Sequence, residues 1–404
     1  MKKAATAATA PRDRPPVISG CTLEIRAPNL LRLFFESALA RGGRVLKTVA
    51  QFAIGYEQLL DVEGRVCGEL PPFASDAEQM RRMYGMMVLC RLFDTKAINL
   101  QRTGRLGTYA PCTGHEATHV AVGAAMRPED VLCPVYREYG TQVWRGVTLT
   151  EILTYWAGDE RGCDFAVPRE DFPWCVPIGS QTPHAAGIAM AFKIRQQPRC
   201  VVVYIGDGGT SQGAFHEALN LAGAQRLPVV FVIVNNGWAI SVPSAEQTAA
   251  QTFAQKGLGN GVPGVQVDGN DIIAIRKVMQ ETLDKARGGG GPTVVEAVTY
   301  RLSDHTTADD ASRYRPAAEL EAAWQREPLI RTRRYLEQQG WWDEARETAL
   351  RKDCAAQIDA AVLGYQSRGT PGVDFIFEHL FARLPAALDE QRHIARQYGS
   401  GEAH

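Results

Sequence analysis

The chain reads as an α/β protein: a three-layer sandwich around a mainly parallel sheet, with a helical extension at its C-terminal end. Two observations predict this. Val201-Val202-Val203-Tyr204-Ile205 and Val229-Val230-Phe231-Val232-Ile233-Val234 are apolar runs rich in β-branched residues, with no polar alternation. Such runs fit strands covered by helices on both faces. Between them, Ser211 to Gln225 carries Phe215, Leu219 and Ala222 at helical spacing, which makes the whole a strand–helix–strand unit.

The other elements follow in order. "MKKAATAATAPRDRPP" lacks the continuous apolar core of a secretory signal, and residues 1–20 are expected to be a disordered tail. Residues 21–74 form an N-terminal extension, in which Glu63-Gly64 is a candidate turn between two short strands. Ser75 with Glu78 predicts a capping box. The helix it opens runs through Met80, Met83, Met87, Leu92 and Ile98 to a stop at Gly104. Its methionines read as core packing rather than a binding surface. "GHEATHVAVGAAM" is a small-residue helix, "DVLCPVY" a buried strand, and "VPIGS" a loop leading into the helix "QTPHAAGIAMAFKIR". After the strand–helix–strand unit come a strand near "GVQVDG", a helix over "DIIAIRKVMQETLDKARG" and a strand in "PTVVEAVTYRL". The main domain is therefore expected over residues 75–316, with a helical extension over 317–404 packed on it.

The turns of the central unit carry the chemistry. Asp207 follows the first strand and Asn235-Asn236 the second. Parallel strands end on one edge of the sheet, where open α/β folds bind ligands. Gly208 and Gly209 allow close approach to the backbone, and the next helix N-terminus favours a phosphate. One carboxylate and one amide oxygen suit magnesium, which usually takes few protein ligands and completes its shell with phosphate oxygens. Gly-Asp-Gly and Asn-Asn-Gly are each common structural turns. Their joint placement at the ends of successive buried strands is what points to a site.

Here the chain resembles the thiamine-diphosphate enzymes, whose signature is Gly-Asp-Gly followed by Asn-Asn. That resemblance implies the thiamine-diphosphate-binding fold, its diphosphate-binding half, and magnesium held by Asp207, Asn236 and the carbonyl of Trp238. "NLQRTGRLGTYAPCTGHEA", "YREYG", "YWAGDE" and "VPIGSQTPHAAG" narrow the similarity to the alpha subunit of the 2-oxo acid dehydrogenases, over roughly Ser75 to Gln338. By that resemblance Tyr136 and Arg137 grip the diphosphate, together with Gly208 and Gly209. Ile178 offers a backbone group to the aminopyrimidine, and positions matching Pro177, Ser180 and Gln181 hold a monovalent cation, potassium, in some relatives.

"YRLSDHTTADDASRYRP", from Tyr300 to Pro316, is polar and holds one histidine. For a generic protein it would be a solvated surface loop. It follows a strand at the carboxyl edge of the sheet, and it is similar to the family's histidine-and-arginine loop. The resemblance makes His305 the catalytic residue, contacting the diphosphate and the reacting centre, flanked by Arg301, Tyr314 and Arg315. It is glycine-free, and its few apolar residues predict a loop ordered only by contacts to the cofactor and partner. Two departures stand out. Thr306 occupies the place of a regulatory serine, and Val234 the place of an arginine that faces the diphosphate in some relatives. His115, His119, His184 and His216 lie on helices or their ends, and the last two are expected to be packed.

No second α/β unit is left for the pyrimidine-binding half. The resemblance therefore implies a beta subunit, an α2β2 assembly, and a lipoyl domain of a core acyltransferase as the acyl acceptor. The implied reaction is oxidative decarboxylation of a 2-oxo acid, with reductive acylation of the lipoyl group. Pyruvate fits "RLGTYAP" and "GDGGTSQG" best. Branched-chain 2-oxo acid dehydrogenase (3-methyl-2-oxobutanoate), acetoin dehydrogenase and a non-catalytic cofactor-binding scaffold are the alternatives. The joint presence of Asp207, Asn236, Arg137 and His305 argues against the scaffold. Composition agrees. A net charge of -1 over 404 residues predicts no general attraction to nucleic acid or an anionic membrane. Nine cysteines without a Cys-x-x-Cys pair read as buried thiols of a cytoplasmic protein.

Overall fold

The computed structural model describes residues 48–398; the predicted tail, most of the N-terminal extension and the last residues of the C-terminal extension lie outside them. Residues 48–53 are irregular and belong to a separate N-terminal unit. Six strands follow in the larger unit: β1 (Gly55–Glu57), β2 (Val131–Cys133), β3 (Val201–Gly206), β4 (Val229–Asn235), β5 (Gly264–Asp268) and β6 (Thr293–Val298). They form one sheet in the order β1-β5-β6-β4-β3-β2, and every neighbouring pair is parallel. The principal helices are α1 (Ala77–Arg102), α2 (Glu116–Ala125), α3 (Tyr139–Arg145), α4 (Leu149–Trp156), α5 (Gln181–Ile194), α6 (Gly213–Gln225), α7 (Ile272–Arg287), α8 (Ala317–Trp324), α9 (Pro328–Gln338), α10 (Glu344–Gln366) and α11 (Ala386–Tyr398).

The unbroken apolar runs are explained by two cores, one on each face of the sheet. Val201, Val203 and Ile205 of β3 join Phe215, Leu219 and Ala222 of α6 and Ala185, Ala186 and Ala189 of α5. Val202 and Tyr204 face the other way, into a cluster with Met80, Met83 and Met87 of α1, Val120 of α2 and Ile275 of α7. Each buried Val, Ile or Phe contributes about 1.5–3 kcal/mol, so a polar residue on either face of β3 or β4 would be costly. The methionines of α1 are core residues, as expected.

Some expectations are corrected. The cap of α1 is Asp76, not Ser75: its Oδ1 accepts from the amides of Glu78 (2.9 Å) and Gln79 (3.1 Å). Ser75 instead ends a short 3-10 turn, Pro72–Ser75, and a carboxylate one residue later makes the stronger cap. The strand pair around Glu63-Gly64 shrinks to one antiparallel bridge, Leu60 to Val66, while Gly55–Glu57 joins the main sheet beside β5. The strand in "DVLCPVY" is only Val131–Cys133, because Pro134 cannot donate to a ladder. The crossover helix starts at Gly213, after a 3-10 turn over Gly208–Ser211. Helix α4, which the sequence reading passed over, carries a full capping box between Thr148 and Glu151. Five cysteines are buried and no disulfide forms among the described residues. Among those residues no helix is long and apolar enough to cross a membrane.

Candidate active site

Asp207 and Asn236 emerge side by side because β3 and β4 pair in parallel, Gly206 opposite Val234. The Asp207 amide donates to the Val234 carbonyl (3.3 Å). The Asp207 carboxylate is buried. Its Oδ1 accepts from the Gly208 amide (2.9 Å) and its Oδ2 from the Ser244 hydroxyl (2.7 Å). Burial raises its pKa above the ordinary value, against the pull of Ser244, Gly208 and Arg301. Asn236 Oδ1 accepts from the Trp238 amide (3.2 Å). Trp238–Ala239 pairs with Val242–Pro243 in a small antiparallel hairpin that lies against the Asp207 turn. A Cβ on Gly208 would come within 2.4 Å of Ala239 Cβ, and one on Gly209 within 2.6 Å of Ile205 Cγ1 and 3.0 Å of Ile178 Cγ2. The two glycines are thus demanded by the chain's own packing, and Ile178 is brought beside them.

The other side of the site surrounds His305. Arg137, buried behind β2, donates from Nη1 to the Pro111 carbonyl (2.5 Å) and from Nη2 to the His305 carbonyl (2.9 Å). Arg137 Nη2 and Arg301 Nη1 also lie 3.3 and 3.2 Å from His305 Nδ1. Guanidinium groups only donate, so Nδ1 accepts and the proton of the neutral ring sits on Nε2. Nε2 is 3.4 Å from the Tyr136 hydroxyl. Burial, then Arg137 and Arg301, push the His305 pKa down to about 3, with Asp309 opposing. The ring is therefore neutral at physiological pH. Val176, Ile178, Ile240 and Val242 are exposed apolar side chains along the same region.

Contrary to expectation, the loop has intrachain anchors of its own. Arg301 donates to the Tyr314 hydroxyl and the Ile240 carbonyl, both at 2.8 Å. Asp309 accepts from the His305 amide (2.9 Å) and the Tyr314 hydroxyl (2.5 Å). Arg315 donates to the Arg301 and Ser303 carbonyls (2.6 and 3.0 Å). Polar bonds replace the apolar contacts the segment lacks. Ser244 and these loop bonds were missed from sequence because no local pattern marks them.

The remaining candidates are placed as follows. Ser180 Oγ donates to the Pro177 carbonyl (2.7 Å) and lies 3.0 Å from the Cys175 thiol. Gln181 donates to the Tyr204 carbonyl (2.7 Å), leaving its Oε1 buried without a partner. His115 and His119 are fully buried, and no ring nitrogen of either has a partner. Burial holds both below the ordinary histidine range. His184 and His216, expected to be packed, are exposed, each with its ring against a phenylalanine, Phe172 and Phe215.

The donor set can be tested against a metal–diphosphate group. Asp207 and Asn236 supply hard oxygens. Among the described residues no group of three or more His, Cys, Asp or Glu could hold a metal, so a metal at Asp207 would take its remaining ligands from elsewhere. Among the same residues neither Arg137 nor Arg301 forms an ion pair with a carboxylate, and Arg301 Nε is buried without a partner. Burial and the like charges of Arg137 and Arg315 lower the Arg301 pKa. Two buried guanidinium groups without a carboxylate at ion-pair distance, beside a hard-oxygen pair, fit an anionic diphosphate with its magnesium.

Comparison with known proteins agrees with this geometry. The Dehydrogenase E1 component family matches residues 84–373. The chain is 40% identical over 344 residues to the pyruvate dehydrogenase E1 component subunit alpha of Acholeplasma laidlawii, covering 84% of this chain and 99% of that one. It is 42% identical over 322 residues to the 3-methyl-2-oxobutanoate dehydrogenase subunit alpha of Mycobacterium tuberculosis, covering 79% and 87%. A Staphylococcus aureus pyruvate dehydrogenase E1 component subunit alpha is 40% identical over 343 residues, covering 84% and 92%. With the family matched over most of the chain and the site built as described, this chain belongs to the dehydrogenase E1 component family.

Proposed function

We propose that the chain is the alpha subunit of a thiamine-diphosphate-dependent 2-oxo acid dehydrogenase, acting on pyruvate in partnership with a beta subunit. The observation that carries this is the pairing of Asp207 and Asn236 with two buried arginines, Arg137 and Arg301, at one sheet edge. Asp207, Asn236 and the Trp238 carbonyl hold magnesium. Arg137, Arg301 and Tyr136 would hold the diphosphate, with close backbone approach allowed at Gly208-Gly209, and Ile178 would offer its backbone to the pyrimidine. When bound, thiamine diphosphate supplies the electron sink for decarboxylation of the 2-oxo acid. His305 acts as a neutral imidazole, donating a hydrogen bond from Nε2 rather than serving as a cationic acid. That follows from two guanidinium donors on Nδ1. The exposed apolar side chains near the turn, Val176, Ile178, Ile240 and Val242, are the surface a beta subunit would cover, excluding water from the reaction. The acyl acceptor is the lipoyl domain of an acyltransferase component.

The Pro177 carbonyl, the Ser180 hydroxyl and the unpartnered Gln181 Oε1 suit a monovalent cation in donor type. Cys175, whose thiol lies 3.0 Å from Ser180 Oγ, is a softer neighbour than such an ion prefers.

The branched-chain substrate is the second reading, favoured by the similarity to the 3-methyl-2-oxobutanoate enzyme. Co-expressed alpha and beta chains, assayed with an artificial electron acceptor, decide between them. The proposal expects turnover of pyruvate above that of 3-methyl-2-oxobutanoate. The reverse order selects the second reading, and turnover of neither overturns both.

A further inference from the structure

Between α1 and α2 the segment Tyr109–Gly114 crosses beneath the site as a strap. It touches both halves of the His305 side. The Tyr109 carbonyl accepts from the Thr307 amide (2.8 Å), and the Tyr109 amide donates to the Thr307 hydroxyl (3.0 Å). The Thr113 carbonyl accepts from the Leu302 amide (3.1 Å). The Pro111 carbonyl takes the Arg137 guanidinium (2.5 Å). His305 is thus bracketed by two strap contacts, one before and one after it, while its arginine partner rests on a third.

Glu116 Oε2 holds the far end of this strap by accepting from the Gly114 amide (2.8 Å), and a second carboxylate holds its side chains. Asp94, fully buried in α1, accepts from the Tyr109 hydroxyl through Oδ1 and from the Thr113 hydroxyl through Oδ2, both at 2.7 Å. Burial raises its carboxyl to about 6 against those two hydrogen bonds. A buried carboxylate is expensive, and an apolar side chain would pack α1 as well. What the carboxylate uniquely offers is two acceptor oxygens for two hydroxyl donors. We infer that Asp94 is a positioning residue of the reaction: by pinning Tyr109 and Thr113 it fixes the strap, and through the strap it sets Arg137 and the His305 loop.

The activity part of this inference rests on the function proposed above; the positioning part does not. The test is hydrogen exchange on the full chain, followed by mass spectrometry, for wild type, Asp94→Asn and Tyr109→Phe. Asp94→Asn keeps the shape but removes the charge and turns one acceptor oxygen into an amide donor, so one of the two bonds must reverse and both lose their charge assistance. Exchange in residues 299–313 should rise at least about tenfold, equivalent to one lost hydrogen bond to a charged group, while α6 on the far face of the sheet stays unchanged. Tyr109→Phe, which removes one hydroxyl, should show the same localised rise to a smaller degree and guards against a variant that fails to fold. With the beta chain present, Asp94→Asn should lower kcat about tenfold with KM for the 2-oxo acid changed less than about twofold. Unchanged exchange in the loop, or a rise spread equally over α6, would overturn the inference. If the wild-type pair turns over no 2-oxo acid, the function fails, and the exchange pattern still decides the positioning role.

Discussion

The two sides of the site are built on different length scales. Asp207 and Asn236 stand on the ends of neighbouring strands, and their first backbone partners are one and two residues away, Gly208 and Trp238. His305 is held by Arg137, 168 residues earlier, and by a strap whose contact from Tyr109 to Thr307 spans 198 residues. The first side is placed by the parallel pairing of adjacent strands. The second is assembled from bonds between distant segments, each of which can be broken separately. This suggests a division of labour: the strand ends anchor the cofactor, and the loop orients a neutral histidine toward the chemistry.

Four outcomes would break or sharpen that division. The largest effect is expected from withholding the beta subunit: the chain alone should not turn over a 2-oxo acid, and steady decarboxylation by the purified chain would refute the split site. Next is His305→Ala in the assembled enzyme. Loss of a positioned hydrogen-bond donor should cut acyl transfer to the lipoyl group by roughly 100-fold, with cofactor affinity changed only a few fold. Equal losses of both would merge the two sides into one. Ser244→Ala removes a hydroxyl donor from the Asp207 carboxylate and should weaken cofactor binding by about tenfold; calorimetry reads this directly.

The smallest effect concerns pH. His305 titrates near 3 when folded, against 6.5 for the ordinary side chain. Between those values the unfolded chain binds the proton and the folded chain does not, so this group makes stability fall as pH drops below about 6.5. The melting temperature of His305→Asn relative to wild type should therefore improve on going from pH 7 to pH 5. A constant difference over that range would mean that the ring is not held neutral.

Legibility from sequence follows the same divide. The Asp207–Asn236 side was readable because strand, turn, helix, strand and turn are consecutive, and parallel pairing brings the turns together without further information. The core pattern was readable for the same reason: Val201 to Ile205 is apolar at every position because alternate residues feed opposite cores. The loop was readable as a candidate, and its intrachain anchors were not. Its low apolar content predicts order through contacts to the cofactor and partner, whereas Asp309, Tyr314 and Arg315 also tie it down by hydrogen bonds within the chain. Asp94 was invisible, because one acidic residue within a helical pattern gives no sign that it faces Tyr109 and Thr113. Ser75 reads as the helix cap because Ser75 and Glu78 have capping-box spacing, whereas the backbone opens the helix one residue later, at Asp76.

The most direct test of the account is a pair of calorimetric titrations of the assembled alpha and beta chains with thiamine diphosphate in the presence of magnesium. Asp207→Ala removes the charged oxygen of the anchoring side, and His305→Ala removes the orienting ring. The account predicts that cofactor affinity falls at least about 100-fold in Asp207→Ala and stays within a few fold of wild type in His305→Ala. Wild-type affinity in Asp207→Ala, or an equal collapse in His305→Ala, would contradict it.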